Sequence, residues 1–141
     1  MRGDSFLVVR AGAERYGIAL AAIEEVVNLA EPGPVPACLA AFRGVVRWRE
    51  RHLSVLHLGA LVEGTAAPAE RGGAAVVMSL GGRHVALEVE EAEDVVEHGA
   101  TSTGETVAEA AAGVWRVGAL LVTMLEPAAL AERLAGTEEA G

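Results

Sequence analysis

Several residue types that carry chemistry in other proteins are scarce or missing in this chain of 141 residues. A single cysteine, Cys38, excludes an internal disulfide framework and a cysteine-based zinc site. Lysine is absent, which excludes the lysine-containing phosphate loop of many nucleotide-binding enzymes. Aromatic residues make up only 4% of the chain, too few for a surface that stacks nucleic-acid bases.

Positive charge and long apolar runs are also in short supply. The 11 basic residues are all arginine and stand against 20 acidic ones, for a formal net charge of −9. A general nucleic-acid binder needs a basic face, so we expect no nucleic-acid partner. The apolar stretch 117–125 is far shorter than the roughly 20 residues that span a bilayer, and residues 1–10 do not lead into an export signal. These features predict a soluble cytoplasmic protein with no segment inserted in a membrane.

No group of residues in the sequence matches a known catalytic or metal-binding motif. Ser54 and Ser79 lie outside any G-x-S-x-G nucleophile motif, and the apolar residues after Cys38 are typical of an inert buried thiol. The histidines form no paired metal-binding motif; they are His52, His57, His84 and His98. We therefore predict a protein that is not an enzyme and has no catalytic residue, metal or cofactor.

What the chain does contain is an internal repeat. Shifting the sequence by 69 residues aligns 6–12 with 75–81, 16–20 with 85–89 and 23–27 with 92–96, without a gap. Further along, Gly44 falls on Gly113 and the hydrophobic pattern stays in register. This repeat predicts one domain over 1–141 with two related lobes, 5–63 and 74–127, joined by a connection at 64–73.

Each repeat has the pattern of short β-strands. Val85, Leu87 and Val89 alternate with their neighbours at the period of a half-buried strand, and glycine-containing turns separate paired apolar runs. Four or five short strands in each repeat favour a small closed barrel. Residues 127–135 predict a short C-terminal helix, with Pro127 suited to its first turn. The expected fold is therefore mainly β, with two small barrel lobes and one terminal helix.

Two charge clusters remain to be explained. The basic cluster surrounds Trp48 and consists of Arg43, Arg47, Arg49, Arg51 and His52. It is either a solvated strand face or a docking surface, since arginine and tryptophan are enriched at interface hot spots. Strand alternation predicts that Arg47, Arg49 and Arg51 line one side of the hairpin and Trp48 the other. The acidic cluster is interpreted mainly as a solvated face; it consists of Glu88, Glu90, Glu91, Glu93, Asp94 and Glu97.

Three short segments near the start of the chain form a recognisable pattern: residues 6–10 (F-L-V-V-R), 16–18 (Y-G-I) and 23–26 (I-E-E-V). This pattern resembles the opening of the CheW-like family, adaptors of bacterial chemosensory arrays. Residues 42–46 and 53–58 resemble the segments on either side of its N-L-R-G signature, and the resemblance continues to residue 130. It implies two SH3-like five-stranded barrels with a hydrophobic groove between them, and no catalysis. It also implies an adaptor that joins the cytoplasmic tip of a chemoreceptor to the regulatory domain of the histidine kinase CheA.

The sequence departs from the family pattern in the central hairpin. The N-L-R-G positions read Arg47-Trp48-Arg49-Glu50, and an aspartate of the next motif is His57. Loss of the turn glycine at Glu50 predicts a longer or differently shaped hairpin. The resemblance implies receptor-facing positions at Ile23, Glu25, Arg43, Gly44, Arg49 and Val95. Arg47, Trp48 and Arg51 complete the expected partner-binding surface.

Two other functions fit the sequence as well. One is a specialised CheW-like protein of a motility or developmental pathway that binds a receptor but not the kinase. The other is a small-molecule binding module that uses the groove between the lobes; apolar groove walls with a few convergent polar groups would favour it.

Overall fold

The computed structural model describes residues 5–28, 41–64, 73–97, 100–102 and 111–140. The first repeat contains β1 (Phe6–Ala11), β2 (Glu14–Ala19), β3 (Ile23–Asn28), β4 (Phe42–Trp48), β5 (Arg51–His57) and helix α1 (Leu58–Glu63). The second contains β6 (Ala74–Leu80), β7 (Arg83–Val89), β8 (Glu91–Val96), β9 (Ala100–Ser102), β10 (Ala111–Val117), β11 (Leu120–Leu125) and helix α2 (Pro127–Ala140). A 3-10 turn at Leu20–Ala22 joins β2 to β3. The described residues are mainly β, which confirms the predicted fold class.

The internal repeat is present in the structure for every described strand except β9, which aligns with residues 31–33 outside the described ranges. Strands β4 and β10 match at the 69-residue offset, and each begins with a shift in its pairing register. Gly44 and Gly113 occupy these shifts with φ angles of 144° and 136°. L side chains rarely adopt such angles, so both repeats use glycine at this position for the same backbone reason. The repeat therefore extends to irregular features of the backbone.

The strands form two sheets, and each sheet takes strands from both repeats. The order is β8-β1-β2-β11-β10-β9 in the six-stranded sheet and β3-β6-β7-β5-β4 in the five-stranded sheet. The first hairpin of each repeat lies among strands of the other repeat, where β2 pairs with β11 and β7 with β5 in parallel.

This exchange corrects the expected lobe boundaries. The segments 5–63 and 74–127 are the repeats along the chain, but neither of them forms a sheet by itself. Because the two repeats are alike, a hairpin can find equivalent backbone partners in its own repeat or in the other one. The local sequence pattern does not distinguish these two arrangements.

Three apolar clusters hold the sheets together. The largest lies between the two sheets and includes Ile18 of the six-stranded sheet and Leu87 of the five-stranded sheet, each at most 1% exposed. Leu130 of α2 is buried in the same cluster. Smaller clusters form around Val55 in the five-stranded lobe and around Phe6 in the six-stranded lobe. Each lobe therefore has its own interior as well as a shared core.

Helix α1 was not expected from the sequence. It begins after His57, whose Nδ1 accepts a hydrogen bond from the Ala60 N–H at 3.0 Å, and it ends at Gly64 with φ 73°. It is the counterpart in the first repeat of the start of α2. Helix α2 begins at Pro127 as predicted, but it runs to Ala140 rather than ending at 135. Within the described ranges, no helix is long and apolar enough to cross a bilayer.

Part of the sequence interpretation lies outside the described residues. Residues 65–72 of the expected connection, together with Cys38 and His98, belong to this part of the chain.

Ion pairs attach the exchanged β1–β2 hairpin to β8. Arg15 binds Glu93 through two hydrogen bonds of 2.8 and 3.3 Å, and Arg10 lies 3.4 Å from Glu91. The carboxylate of Glu90 accepts the Gly12 N–H at 2.7 Å. Much of the acidic cluster therefore holds the hairpin in place, so the interpretation as a solvated face was incomplete.

Candidate partner-binding site

The β4–β5 hairpin keeps a two-residue turn despite the loss of its glycine. Trp48 pairs directly with Arg51, and Arg49 and Glu50 between them have φ angles of 49° and 64°. Positive φ at both central residues is the requirement of a type I′ turn, whose twist matches that of the flanking strands. The expectation of a longer or differently shaped hairpin was wrong, because the pairing on both sides forces this turn on residues that adopt it at a cost.

A group of polar side chains surrounds Trp48 at the end of this hairpin. We call it the Trp48 cluster; its members are Glu24, Glu25, Trp48, Arg49, Arg51 and His84. The Trp48 indole N–H donates to Glu25 Oε1 at 2.9 Å, and Arg49 Nη2 donates to the same oxygen at 3.0 Å. The Arg49 guanidinium carbon lies 4.6 Å from the centroid of the indole, a cation–π distance.

His84 occupies another side of the indole. The centroids of the two rings are 5.8 Å apart and their planes are inclined by 31°. Arg51 Nη1 lies 2.9 Å from His84 Nδ1, and His84 Nε2 lies 3.6 Å from Glu24 Oε2. Trp48 is therefore in contact with one arginine directly and linked to a second through the imidazole.

The Trp48 cluster spans the gap between the two edge strands of the five-stranded sheet. These edges are β3, which carries Glu24 and Glu25, and β4, which carries Trp48. The indole is only 9% exposed and packs in the apolar cluster with Leu53 and Val77. The Arg49 side chain remains 63% exposed. The cluster thus links the edge strands β3 and β4 through side-chain contacts. It also holds Arg49 in one position at the surface.

The arginines of the hairpin do not share one face. Trp48 is directly opposite Arg51, and Arg47 is directly opposite His52. Directly opposed residues of an antiparallel pair point to the same side of the sheet, so Arg51 lies with Trp48, whereas Arg47 lies on the other side. The predicted division, with all three arginines opposite the tryptophan, was wrong because the two-residue turn sets a different cross-strand register.

The remaining candidate residues lie apart from this cluster. Arg43 Nε donates to Glu88 Oε1 at 2.7 Å, and the two side chains are 10% and 0% exposed, so this arginine belongs to the interior. Gly44 is buried, and Ile23 packs at the edge of the shared core. Val95 is 50% exposed on β8 of the other sheet. The structure therefore brings together Glu25, Trp48, Arg49 and Arg51 of the nine candidates.

His57 occupies the position at which the family resemblance implies an aspartate. Its ring is 6% exposed and caps α1 by accepting the Ala60 N–H. Burial lowers the pKa of His57 below its ordinary value, and the nearby Glu88 carboxylate partly opposes that effect. The neutral imidazole thus serves as a capping acceptor in the interior.

Two members of the cluster, Glu24 and His84, were missed by sequence reasoning. The repeat contained a signal for them, because Glu24 and His84 align with Glu93 and Arg15 at the 69-residue offset. Both aligned pairs are in contact in the structure. Reading charge complementarity across the two repeats would have identified the pair.

The chemistry available to the cluster is hydrogen bonding and ion pairing. Exposed guanidinium groups can donate several charge-assisted hydrogen bonds to carboxylates of a partner. Across the part of the chain that the structure describes, no group of three or more His, Cys, Asp or Glu side chains is arranged to hold a metal ion.

Comparisons with known proteins identify the fold. A protein-family model described as CheW-like domain matches residues 5–135. Among solved structures, the chain is similar to the scaffolding protein TtCheW from Thermoanaerobacter tengcongensis, with a TM-score of 0.76 and 15% sequence identity. That match covers 91% of this chain and 92% of the other. No curated protein matches the sequence significantly.

Proposed function

Because the chain belongs to the CheW-like domain family, we propose that it is a non-enzymatic cytoplasmic adaptor of a bacterial chemosensory system. In this role it joins the cytoplasmic tip of a chemoreceptor to the regulatory domain of a CheA-type histidine kinase. The observation that carries the proposal is the family match over residues 5–135, which includes the whole two-lobed fold. Non-covalent binding is the activity that such an adaptor requires.

The Trp48 cluster is the proposed partner-binding surface. Four of the candidate residues meet there, and Arg49 is both largely exposed and fixed by Glu25 and the indole. A guanidinium held in one position loses little conformational freedom on binding, so a partner carboxylate gains more from each hydrogen bond. Tryptophan and arginine are both enriched at interface hot spots, and here the buried Trp48 positions the exposed Arg49.

The other candidate positions take different parts in this proposal. Arg43 and Gly44 support the surface from the interior of the lobe, since neither is exposed enough to be touched directly. Val95 lies on the other sheet and fits a second contact better than the same one. Arg47 lies on the opposite side of the hairpin from Trp48, so we expect it to contribute less than Arg51.

Titration calorimetry against a chemoreceptor tip fragment from the same genome tests the proposal. Arg49→Ala should weaken binding by about 1–3 kcal/mol, and Arg51→Glu should weaken it through repulsion of an acidic partner. The matched control is Arg116→Glu, which makes the same charge change at an exposed position of the equivalent β10–β11 hairpin. Circular dichroism of each variant checks that it is folded.

Binding that survives both Arg49→Ala and Arg51→Glu, in folded protein, would remove the Trp48 cluster as the receptor site. The same titration with the kinase regulatory domain separates the main proposal from the specialised adaptor that binds a receptor but not the kinase. The small-molecule alternative is not favoured by the described residues, because Ile18, Leu87 and Leu130 pack the space between the sheets as an apolar core.

A further inference from the structure

The hydrogen bond between Arg51 and His84 determines which imidazole nitrogen carries the proton. Arginine has only N–H donors, so His84 Nδ1, at 2.9 Å from Arg51 Nη1, must be the acceptor. In the neutral ring the hydrogen is then on Nε2, which lies 3.6 Å from Glu24 Oε2. The neutral His84 therefore connects Arg51 to Glu24 by a hydrogen bond from the guanidinium and by a longer electrostatic contact with the carboxylate.

Protonation of the ring would break this connection at one end only. Imidazolium is a donor at both nitrogens, so Arg51 would lose its acceptor and face a like charge at close range. At the other end, Glu24 would gain a full ion pair with the ring. Imidazole is the side chain whose charge changes in the range of about pH 5–8, where none of its carboxylate or guanidinium neighbours ordinarily titrates.

The groups that face His84 come from four strands of the same lobe. Glu24 approaches from β3 and Arg51 from β5, and the uncharged Trp48 approaches from β4. Its cross-strand neighbour on β6 is Ser79, which has no charge. The ion pair of Glu25 with Arg49 lies beyond the indole. The imidazole of His84 therefore contacts one carboxylate and one guanidinium. Protonation turns its attraction to the guanidinium into repulsion.

We infer that His84 makes the partner-binding surface sensitive to pH, because the neutral ring accepts a hydrogen bond from Arg51, whereas the protonated ring cannot accept it and repels the guanidinium. The inference rests on the proposed function only for the identity of the partner. Protonation adds a positive charge to a surface that already carries the exposed Arg49 and Arg51, and this charge attracts an acidic partner. An acidic partner then binds more tightly as the pH falls.

The structural step is tested in the free protein, without any partner. Nitrogen NMR of the imidazoles, with the His84 signals assigned by their loss in His84→Gln, should show the hydrogen on Nε2 at neutral pH. A Trp115→Phe background leaves Trp48 as the only tryptophan, and its fluorescence should change in one transition between about pH 5 and 8.

Two variants make this fluorescence test specific. His84→Gln should abolish the transition, whereas His52→Gln should retain it, since His52 lies on the opposite side of the same hairpin. A hydrogen on Nδ1 at neutral pH, or a transition that survives His84→Gln, would overturn the inference.

The binding step uses the receptor tip fragment as the probe. The affinity of the protein for this fragment should rise about two- to fivefold between pH 7.5 and pH 5.5, which is the gain that one additional surface charge pair supplies. This rise should be smaller in His84→Gln than in His52→Gln. Equal pH dependence in the two variants would contradict the link between His84 and the partner. If the fragment does not bind at all, the proposed function fails, while the NMR and fluorescence results still decide the behaviour of His84.

Discussion

Single substitutions in the buried Arg43–Glu88 pair should destabilise the protein strongly. The hydrogen bond between the two side chains is 2.7 Å long, and Glu88 is 0% exposed. Glu88 Oε2 has no hydrogen-bond partner among the described residues, so this carboxylate depends on the guanidinium. Glu88→Leu removes the carboxylate from a buried arginine, and Arg43→Met removes the guanidinium from a buried carboxylate. Each should lower the free energy of unfolding by about 3–5 kcal/mol.

Replacing both residues together should cost much less. Glu88 lies on the same face of β7 as Ala86, a member of the apolar cluster inside this lobe, so a leucine there meets apolar neighbours. The double variant loses the attraction between the charges, but it also loses the cost of burying them. We expect its free energy of unfolding to lie within about 2 kcal/mol of that of the parent protein, a coupling on the order of 4 kcal/mol or more.

Urea titration followed by circular dichroism measures these free energies, provided that the slopes agree among the variants. The control is the exposed pair Arg10 and Glu91, whose side chains are 35% and 60% exposed. Arg10→Met with Glu91→Leu should show a coupling of no more than about 1 kcal/mol. If the Arg43→Met and Glu88→Leu losses simply add in the double variant, the reasoning from burial is refuted.

Two further predictions concern the turn and the helix cap. Glu50→Gly should raise the free energy of unfolding by about 0.5–1 kcal/mol in a urea titration, since Glu50 has φ 64°. The control is Ala119→Gly, at the equivalent position of the second repeat. Ala119 has no positive φ, so this substitution should lower the free energy of unfolding by a similar amount. Burial lowers the pKa of His57 from its ordinary value of 6.5, so the unfolded chain takes up its proton first as the pH falls and stability declines below about pH 6.5. His57→Asn keeps a capping acceptor without titrating, so its free energy of unfolding should decline less between pH 7 and pH 5; an identical decline would exclude His57 as the cause.

Much of the secondary structure could be predicted from the sequence, because strand alternation, glycine turns and Pro127 act over a few residues. The repeat was visible for the same reason, and it also contained helix α1, since 58–63 align with the start of α2. The exchange of hairpins between the repeats could not be predicted. It depends on pairs such as Tyr16 with Thr123 and Ser54 with Val85, which are distant in sequence and have equivalent alternatives in the other copy.

The site divides in a similar way. Residue type indicated a group of arginines around Trp48, and the family resemblance added Glu25 as an expected receptor-facing position. Their mutual contacts came only from the structure. It could not indicate that Arg43 is buried against Glu88, because burial is a property of the surrounding strands rather than of the residue. Nor could it indicate that Arg51 meets His84, since their contact depends on the parallel pairing of β5 with β7. Short-range pattern thus determined the strands, the repeat and the family. Long-range pairing decided which hairpin joins which sheet, which arginine reaches solvent and which histidine lies beside the tryptophan, because each of these depends on contacts between segments far apart in the chain.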